Sequence, residues 1–345
     1  WIGEASAERE WIDEKIEKTI SYIQQGGQFD MSLQITIPNE WENIAPVNVG
    51  YTAGIETTQV SHQWIEKANF MDRIIVISNH SKDVYNNTVY EANNPQTGEN
   101  FELRNTTPIV AVNYPAKQYD NLPDLDLELE YDFNFVTVAQ FGPRKNIENT
   151  INWFVEEFEN EEVGLVVKTN MAKNCYMDRE HVFNKVNALL ANHNPERKCK
   201  VYVLHGDMTD EEMHALYRHP KINAMVALTH GEGYGLPLFE AAYTGIPVIC
   251  AGWSGQLDFL TDEAGNRNFY DVGFDLQPVP ENVVWEGVII KESMWAYPRE
   301  TSAKSQMRKC FEDLTSENSE EIVKNYEDYA TQLQERFNKE KIFVP

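Results

Sequence analysis

The chain has 345 residues and a formal charge of −26 at pH 7, with 55 acidic side chains against 29 basic ones. That length suffices for two domains, each burying its own core. The acidic excess is shared by both halves, and such a field repels phosphate-rich polymers and anionic membrane surfaces. Nucleic acid is therefore excluded as an expected partner, and any cationic side chain in a cleft becomes informative.

Four widely spaced cysteines, Cys175, Cys199, Cys250 and Cys310, form no CxxC pair and suit a reducing, cytoplasmic setting. No apolar run reaches the roughly 18 residues of a spanning helix, so we expect neither strong membrane association nor a secretory leader. In chain order, Trp11, Ile12, Ile16, Ile20 and Ile23 recur at helical spacing and Gly26-Gly27 ends the run, which predicts an amphipathic helix over 5–25. Strand-like segments follow at 33–37, 47–52, 73–78 and 108–113, separated by helical or loop stretches, the pattern of an α/β layer with a mostly parallel sheet. A Rossmann-like domain opens with a strand, and here a helix comes first, so a first strand upstream of Trp1 is expected.

The acidic, turn-rich stretch 117–132 reads as an interdomain linker. Its Asp124-Leu125-Asp126 imitates a metal-binding DxD but lacks a preceding buried strand. A second series is clearer, with strands at 135–140, 163–169, 200–204, 224–228 and 247–250. Helices start at Asn146, around Arg179, at Asp210 and after Pro237. Five βα units make a doubly wound domain, whose ligands bind beyond the carboxyl ends of the strands. A long polar helix over 318–339 closes the chain. The domains are expected at 1–128 and 129–315, with 316–345 crossing back to the first.

The loops after those strand ends carry the chemistry. The apolar strand 224–228 stops at a turn holding Gly231, Gly233 and Gly235, where backbone N–H groups can approach a ligand closely. Pro237 suits a first helical turn and Gly245 its end, so the helix directs positive charge at whatever the turn holds. Glu232 and Glu240 frame the turn as acceptors for sugar hydroxyls. Arg144 and Lys145 precede a helix N-terminus, a place suited to a diphosphate, and Asn146 is positioned as its N-cap. The histidines show no metal-ligand spacing, and no metal is expected.

The residues HGEGYGLPLFE at 230–240, PRKN at 143–146, GLVVKT ending near Lys168, LHGDM at 204–208 and AGWSG at 251–255 together closely resemble retaining glycosyltransferases of the GT-B fold, family 4 type. The resemblance runs through 136–259 and again through 49–85. It implies two Rossmann-like domains facing across a cleft, and a metal-independent transfer from a nucleoside-diphosphate sugar to a glycan, lipid-linked or other hydroxyl acceptor, with no further cofactor. By the same resemblance, His230, Glu232, Gly233, Tyr234, Gly235 and Leu236 surround the donor sugar, Tyr234 by stacking, and Glu240 holds the ribose. Lys145 and Arg144 stabilise the leaving diphosphate, Gly206 and Met208 seat the base, Lys168 faces the donor and Ser254 lies beside the sugar. Many members carry an Arg where this chain has Gln140, so one phosphate contact is missing from the pattern. On the acceptor side, Glu56 and Thr57 overlook the cleft with Ser78 at the next strand end; neither His62 nor His80 matches the family's histidine. Two other readings stay open, a sugar-nucleotide epimerase of the same fold and a catalytically silent sugar-nucleotide or glycan-binding protein. Donor, acceptor and oligomeric state are left open as well.

Overall fold

The protein is described by a computed structural model covering residues 5–94 and 96–343. Among these residues, strands β1 (Met31–Ile35), β2 (Val47–Thr52), β3 (Arg73–Val76) and β6 (Ile109–Ala111) form a parallel sheet in the order β1-β2-β3-β6. Helices α2 (His62–Ala68) and α3 (Asn79–Asn87) lie among them, and β4 (Val89–Asn93) and β5 (Asn100–Arg104) form a separate antiparallel hairpin. Trp41, Trp64, Ile65, Ile74 and Tyr85 fill the core of this first domain.

The second sheet has the order β12-β11-β10-β7-β8-β9, all parallel. Its strands are β7 (Asn134–Val138), β8 (Gly164–Thr169), β9 (Lys200–His205), β10 (Ile222–Ala227), β11 (Val248–Ala251) and β12 (Tyr270–Val272). The chain winds outward from β7 in one direction and from β10 in the other, so the switch point falls between these two. Helices α4 (Ile147–Phe158), α5 (Tyr176–Leu190), α6 (Asp210–Tyr217), α7 (Leu236–Thr244) and the short α8 (Leu257–Leu260) connect the strands. The central strands read as continuous apolar runs because helices cover both faces, and Phe135, Leu165, Val167, Ala224 and Val226 are fully buried. A β13–β14 hairpin (Phe274–Pro278, Met294–Pro298), α9 (Glu300–Thr315), α10 (Ser319–Arg336) and α11 (Lys339–Phe343) complete the chain.

Several expectations are altered. The predicted first helix exists as α1 (Ala7–Gln24), yet none of its residues is buried, and Trp11, Ile16, Ile20 and Ile23 stand exposed. The linker carries no regular structure, but Leu125, Leu127 and Leu129 alternate inward onto the second core while the intervening acids stay in water. Both hairpins, β12 and α9 went unread in the sequence.

The two domains meet through polar contacts that are partly exposed to solvent. Asp258 Oδ2, from α8, accepts from Asn79 N at 2.9 Å, Asn79 Nδ2 at 3.2 Å and Asn113 Nδ2 at 2.8 Å in the first domain. Tyr114 meets Tyr234 edge-on at 5.2 Å, and Ala116 N donates to Phe337 O at 2.8 Å, where α10 ends. Hydrogen bonds to an ionised group contribute about 1.5–3 kcal/mol each at most, and non-additively. Asp258→Ala is therefore expected to destabilise the chain by about 2–3 kcal/mol. Calorimetry should show one endotherm in the parent split into two in the variant; a single endotherm at the parent temperature would remove Asp258 from the interface energetics.

Candidate functional site

The switch point places the loops after β7 and β10 side by side, and their residues interlock. Asn146 stands just before α4 in the left-handed region (φ 54°), which turns its side chain away from the helix's first N–H groups. It does not cap the helix, correcting the sequence expectation; its Nδ2 donates to Leu228 O at 3.0 Å instead. The Arg144 carbonyl accepts from His230 N at 2.8 Å, and the guanidinium donates to Gly231 O at 2.6 Å. The βα loops that bear the cations and the glycines are thus one unit.

At its centre lies a four-membered charge cluster. Glu232 receives Lys145 Nζ at 2.5 Å and Arg144 Nη1 at 3.1 Å, and Arg144 Nη2 reaches Glu56 of the first domain at 3.4 Å. Burial alone would raise the Glu232 carboxyl, but Arg144 and Lys145 reverse this and hold it below the usual range. Burial raises Glu56, and Arg144 only partly offsets it. Burial would lower Arg144, and the two glutamates more than compensate. The cluster therefore holds two carboxylates whose proton affinities are shifted in opposite directions, Glu232 down and Glu56 up.

The glycines do something the sequence did not disclose. A Cβ on Gly231 would lie 2.3 Å from the Glu56 carbonyl oxygen and 2.7 Å from the Trp253 ring, and one on Gly233 would lie 2.8 Å from the Ala53 carbonyl oxygen. The turn is pressed against residues 53–56 of the first domain, and only glycine permits that approach. Gly235 takes a positive φ just before α7, Pro237 sits in the first turn and Gly245 ends the helix. Ser254, itself at φ 74°, accepts from Glu232 N at 2.9 Å and so braces the turn from the loop after β11.

Beside the cluster is a cavity of about 400 Å³, within the range of small-molecule sites, lined among others by Gln140, Lys145, Lys168, Gly206, Met208 and Pro237. Lys168 is buried, donates to Gly206 O and is lowered by burial. The cavity thus gathers Lys145, Lys168, Gly206 and Met208, while Arg144, Glu232 and Glu56 form the adjoining cluster. Other candidates stand apart. Tyr234 is 2% exposed and packs against Phe239, Phe259 and Tyr114, so it belongs to the core and not to the cavity wall. Leu236 is exposed at the start of α7. His230 is enclosed by Trp295 and Tyr297, and burial lowers it. Ser78 is buried as the cap of α3.

Glu240 opens onto a separate void of about 10 Å³ among Tyr119, Asp210, Met213, His214, Tyr217 and Tyr243, with Met213 shared with the larger cavity. Asp178, which the sequence reading passed over, and Trp253 of the AGWSG loop also shape the region. Asp178 accepts from the backbone N–H groups of Met171, Ala172 and Lys173 and pairs with buried His205 at 2.7 Å, fixing the loop after β8. Trp253 stacks edge-on with His80 at 5.0 Å, and burial pushes His80 down to about 4. Among the described residues, no group of three or more His, Cys, Asp or Glu is placed to hold a metal ion.

Burial pushes Glu240 up to about 7, against 4.5 in an ordinary environment. The native state then binds more protons than the unfolded chain between these values. Its stabilising effect is complete below pH 4.5 and is lost as pH rises through 7, amounting to about 3 kcal/mol. Glu240→Gln should abolish that decline, so that in urea titrations the variant gains on the parent from pH 4.5 to 7.5 and levels off above; parallel stability curves would contradict the assignment.

Residues 127–275 match the family model described as glycosyl transferases group 1. No curated protein matches the chain. Among solved structures, similarity extends to sucrose-phosphate synthase from Thermosynechococcus elongatus, with TM-score 0.55 and 14% identity over 94% of this chain and 73% of that one. It extends also to S. aureus TarM, with TM-score 0.51 and 14% identity over 86% of this chain and 49% of that one. A UDP-forming α,α-trehalose-phosphate synthase from Burkholderia xenovorans gives TM-score 0.50 and 10% identity over 85% and 65%. The chain spans about half the length of TarM. At these identities the structures speak to the fold, two Rossmann-like domains facing across a cleft. The central segment of the chain, residues 127–275, is thus similar to glycosyl transferases group 1, and the chain has the GT-B fold.

Proposed function

We propose that this chain is a retaining glycosyltransferase that moves a sugar from a nucleoside-diphosphate donor to a hydroxyl acceptor without a metal ion. The observation that carries the reading is the placement of Arg144 and Lys145 beside α4, between the 400 Å³ cavity and the glycine turn, with only carboxylates as ionic partners. An incoming diphosphate is the anion that such a pair suits. The S. aureus TarM structure was determined with UDP, which fits the same ligand class.

The base and ribose enter the cavity near Gly206, Met208 and Lys168, Lys145 and Arg144 take up the phosphates, and Glu240 receives ribose hydroxyls once Met213, which lines both its small void and the cavity, moves aside. Glu232, released from Lys145, turns to the donor sugar with His230 and the amides from Gly233 onward. As the anomeric C–O bond breaks, negative charge collects on the leaving diphosphate, and preformed cations there stabilise the transition state more than the ground state. The acceptor oxygen bonds the anomeric carbon on the face the diphosphate leaves, and its proton passes to a departing phosphate oxygen. Glu56 lies on the acceptor side, where its pairing with Arg144 holds the guanidinium in place. We place the domain division near 128, with the chain after 315 returning across it.

The test is nucleoside diphosphate release with a panel of UDP-, GDP- and ADP-sugars and simple acceptors. Turnover with at least one pair is expected, and Lys145→Ala should lower kcat by about 100- to 1,000-fold with nucleotide affinity reduced less. Donor binding without turnover for any pair would favour a silent sugar-nucleotide-binding protein, and conversion of the donor sugar without an acceptor would favour an epimerase.

A further inference from the structure

Residues 274–298 lie almost wholly beyond the segment matched by the family model, which ends at 275. They form an arm in which β13 and β14 pair antiparallel from Phe274↔Pro298 to Pro278↔Met294. One side of the arm belongs to the donor loop. Ala296 N donates to His230 O at 3.0 Å, His230 Nδ1 meets Ala296 O at 2.9 Å, and the buried Trp295 ring lies nearly parallel to the His230 ring at 5.6 Å. The other side belongs to the first domain. Thr58 N donates to Met294 O at 3.2 Å, Met294 N donates to Thr58 Oγ1 at 2.9 Å, and Val288 at the tip packs on the first domain's core. Gly287 sits so close to α2 that a Cβ there would lie 2.6 Å from Gln63 Oε1.

These contacts close a ring. Arg144 O holds His230 N, His230 holds Ala296, the strand runs two residues to Met294, Met294 holds Thr58, and Glu56, two residues before Thr58, returns to Arg144 at 3.4 Å. Each domain has its own core, so a backbone pairing that spans both has its main effect on their relative placement. We propose that residues 274–298 are a clasp that sets Glu56 against Arg144 before any substrate arrives, with Thr58 and Trp295 as positioning residues for the transfer step. The clasp removes a closure that would otherwise have to be driven by donor binding. This inference rests on the glycosyltransferase reading for its effect on rate, but not for its effect on domain placement.

The test uses the full chain with Cys175→Ser, since Cys175 is the exposed cysteine, and spin labels at Asn86→Cys on α3 and Asn184→Cys on α5, both exposed. Pulsed electron resonance on the ligand-free parent should give one narrow distance distribution. Thr58→Val, which loses the acceptor for Met294 N but keeps the shape, combined with Val288→Asp at the tip, should broaden it. A distribution that stays narrow overturns the clasp, whether or not any donor supports turnover. In kinetics, Thr58→Val alone should lower acceptor-dependent kcat about tenfold while donor KM changes less than about twofold and the melting temperature holds. An unchanged kcat overturns Thr58 as a positioning residue, and a parent without activity on any donor counts against the functional reading and leaves the distance measurement to decide the clasp.

Discussion

Arg144 is shared by carboxylates from two domains, and the rest of the site depends on that sharing. A partly buried guanidinium is costly without partners, and Glu232 of its own domain supplies one at 3.1 Å. The second, Glu56, is available only because the turn around Gly231 and Gly233 admits the backbone of residues 53–56 to contact distance. Closing the cleft and neutralising Arg144 are therefore one event. Glu232 is shared between Arg144 and Lys145, and Lys145 extends the cluster to the cavity wall, where an added anion would meet it.

Much of the second domain was legible in the sequence because its signals are local. Apolar runs ending at glycine turns, a proline in the first turn of α7 and Gly245 at its end all act within one βα unit. Contacts between segments far apart were not legible. The turn glycines read as a cradle for an anion, since nothing local reveals that Ala53 and Glu56 lie against them. Tyr234 read as a pocket wall for the same reason, its neighbour Tyr114 being in the other domain. Asn146 occupies the expected N-cap position, yet the left-handed backbone there redirects its side chain to Leu228, a change that residue type alone does not encode. The arm 274–298 was missed because its strands are short, contain Pro278 and Pro298, and do not alternate cleanly. In the first domain, α1 was found from its periodicity, but periodicity promises a buried stripe and these residues bury none.

The interface between the domains is polar where it meets the site and aromatic behind it. Asp258, with three donors from the first domain, and the Tyr114–Tyr234 contact form the rear attachment; Thr58–Met294 and Arg144–Glu56 form the front. Polar attachments can be exchanged for substrate contacts at small net cost, whereas an apolar seam would have to be exposed to water. At the front, the Thr58–Met294 pairing holds the domains in place, while the Arg144–Glu56 and Lys145–Glu232 pairs can be exchanged for the diphosphate.

The most direct measurement is a crystal structure of the chain soaked with UDP, GDP or ADP. The diphosphate is expected between Arg144 and Lys145, with the base beside Gly206 and Met208 and the Glu232 carboxylate displaced from Lys145. A diphosphate bound elsewhere, with the Lys145–Glu232 pair intact, would contradict this placement.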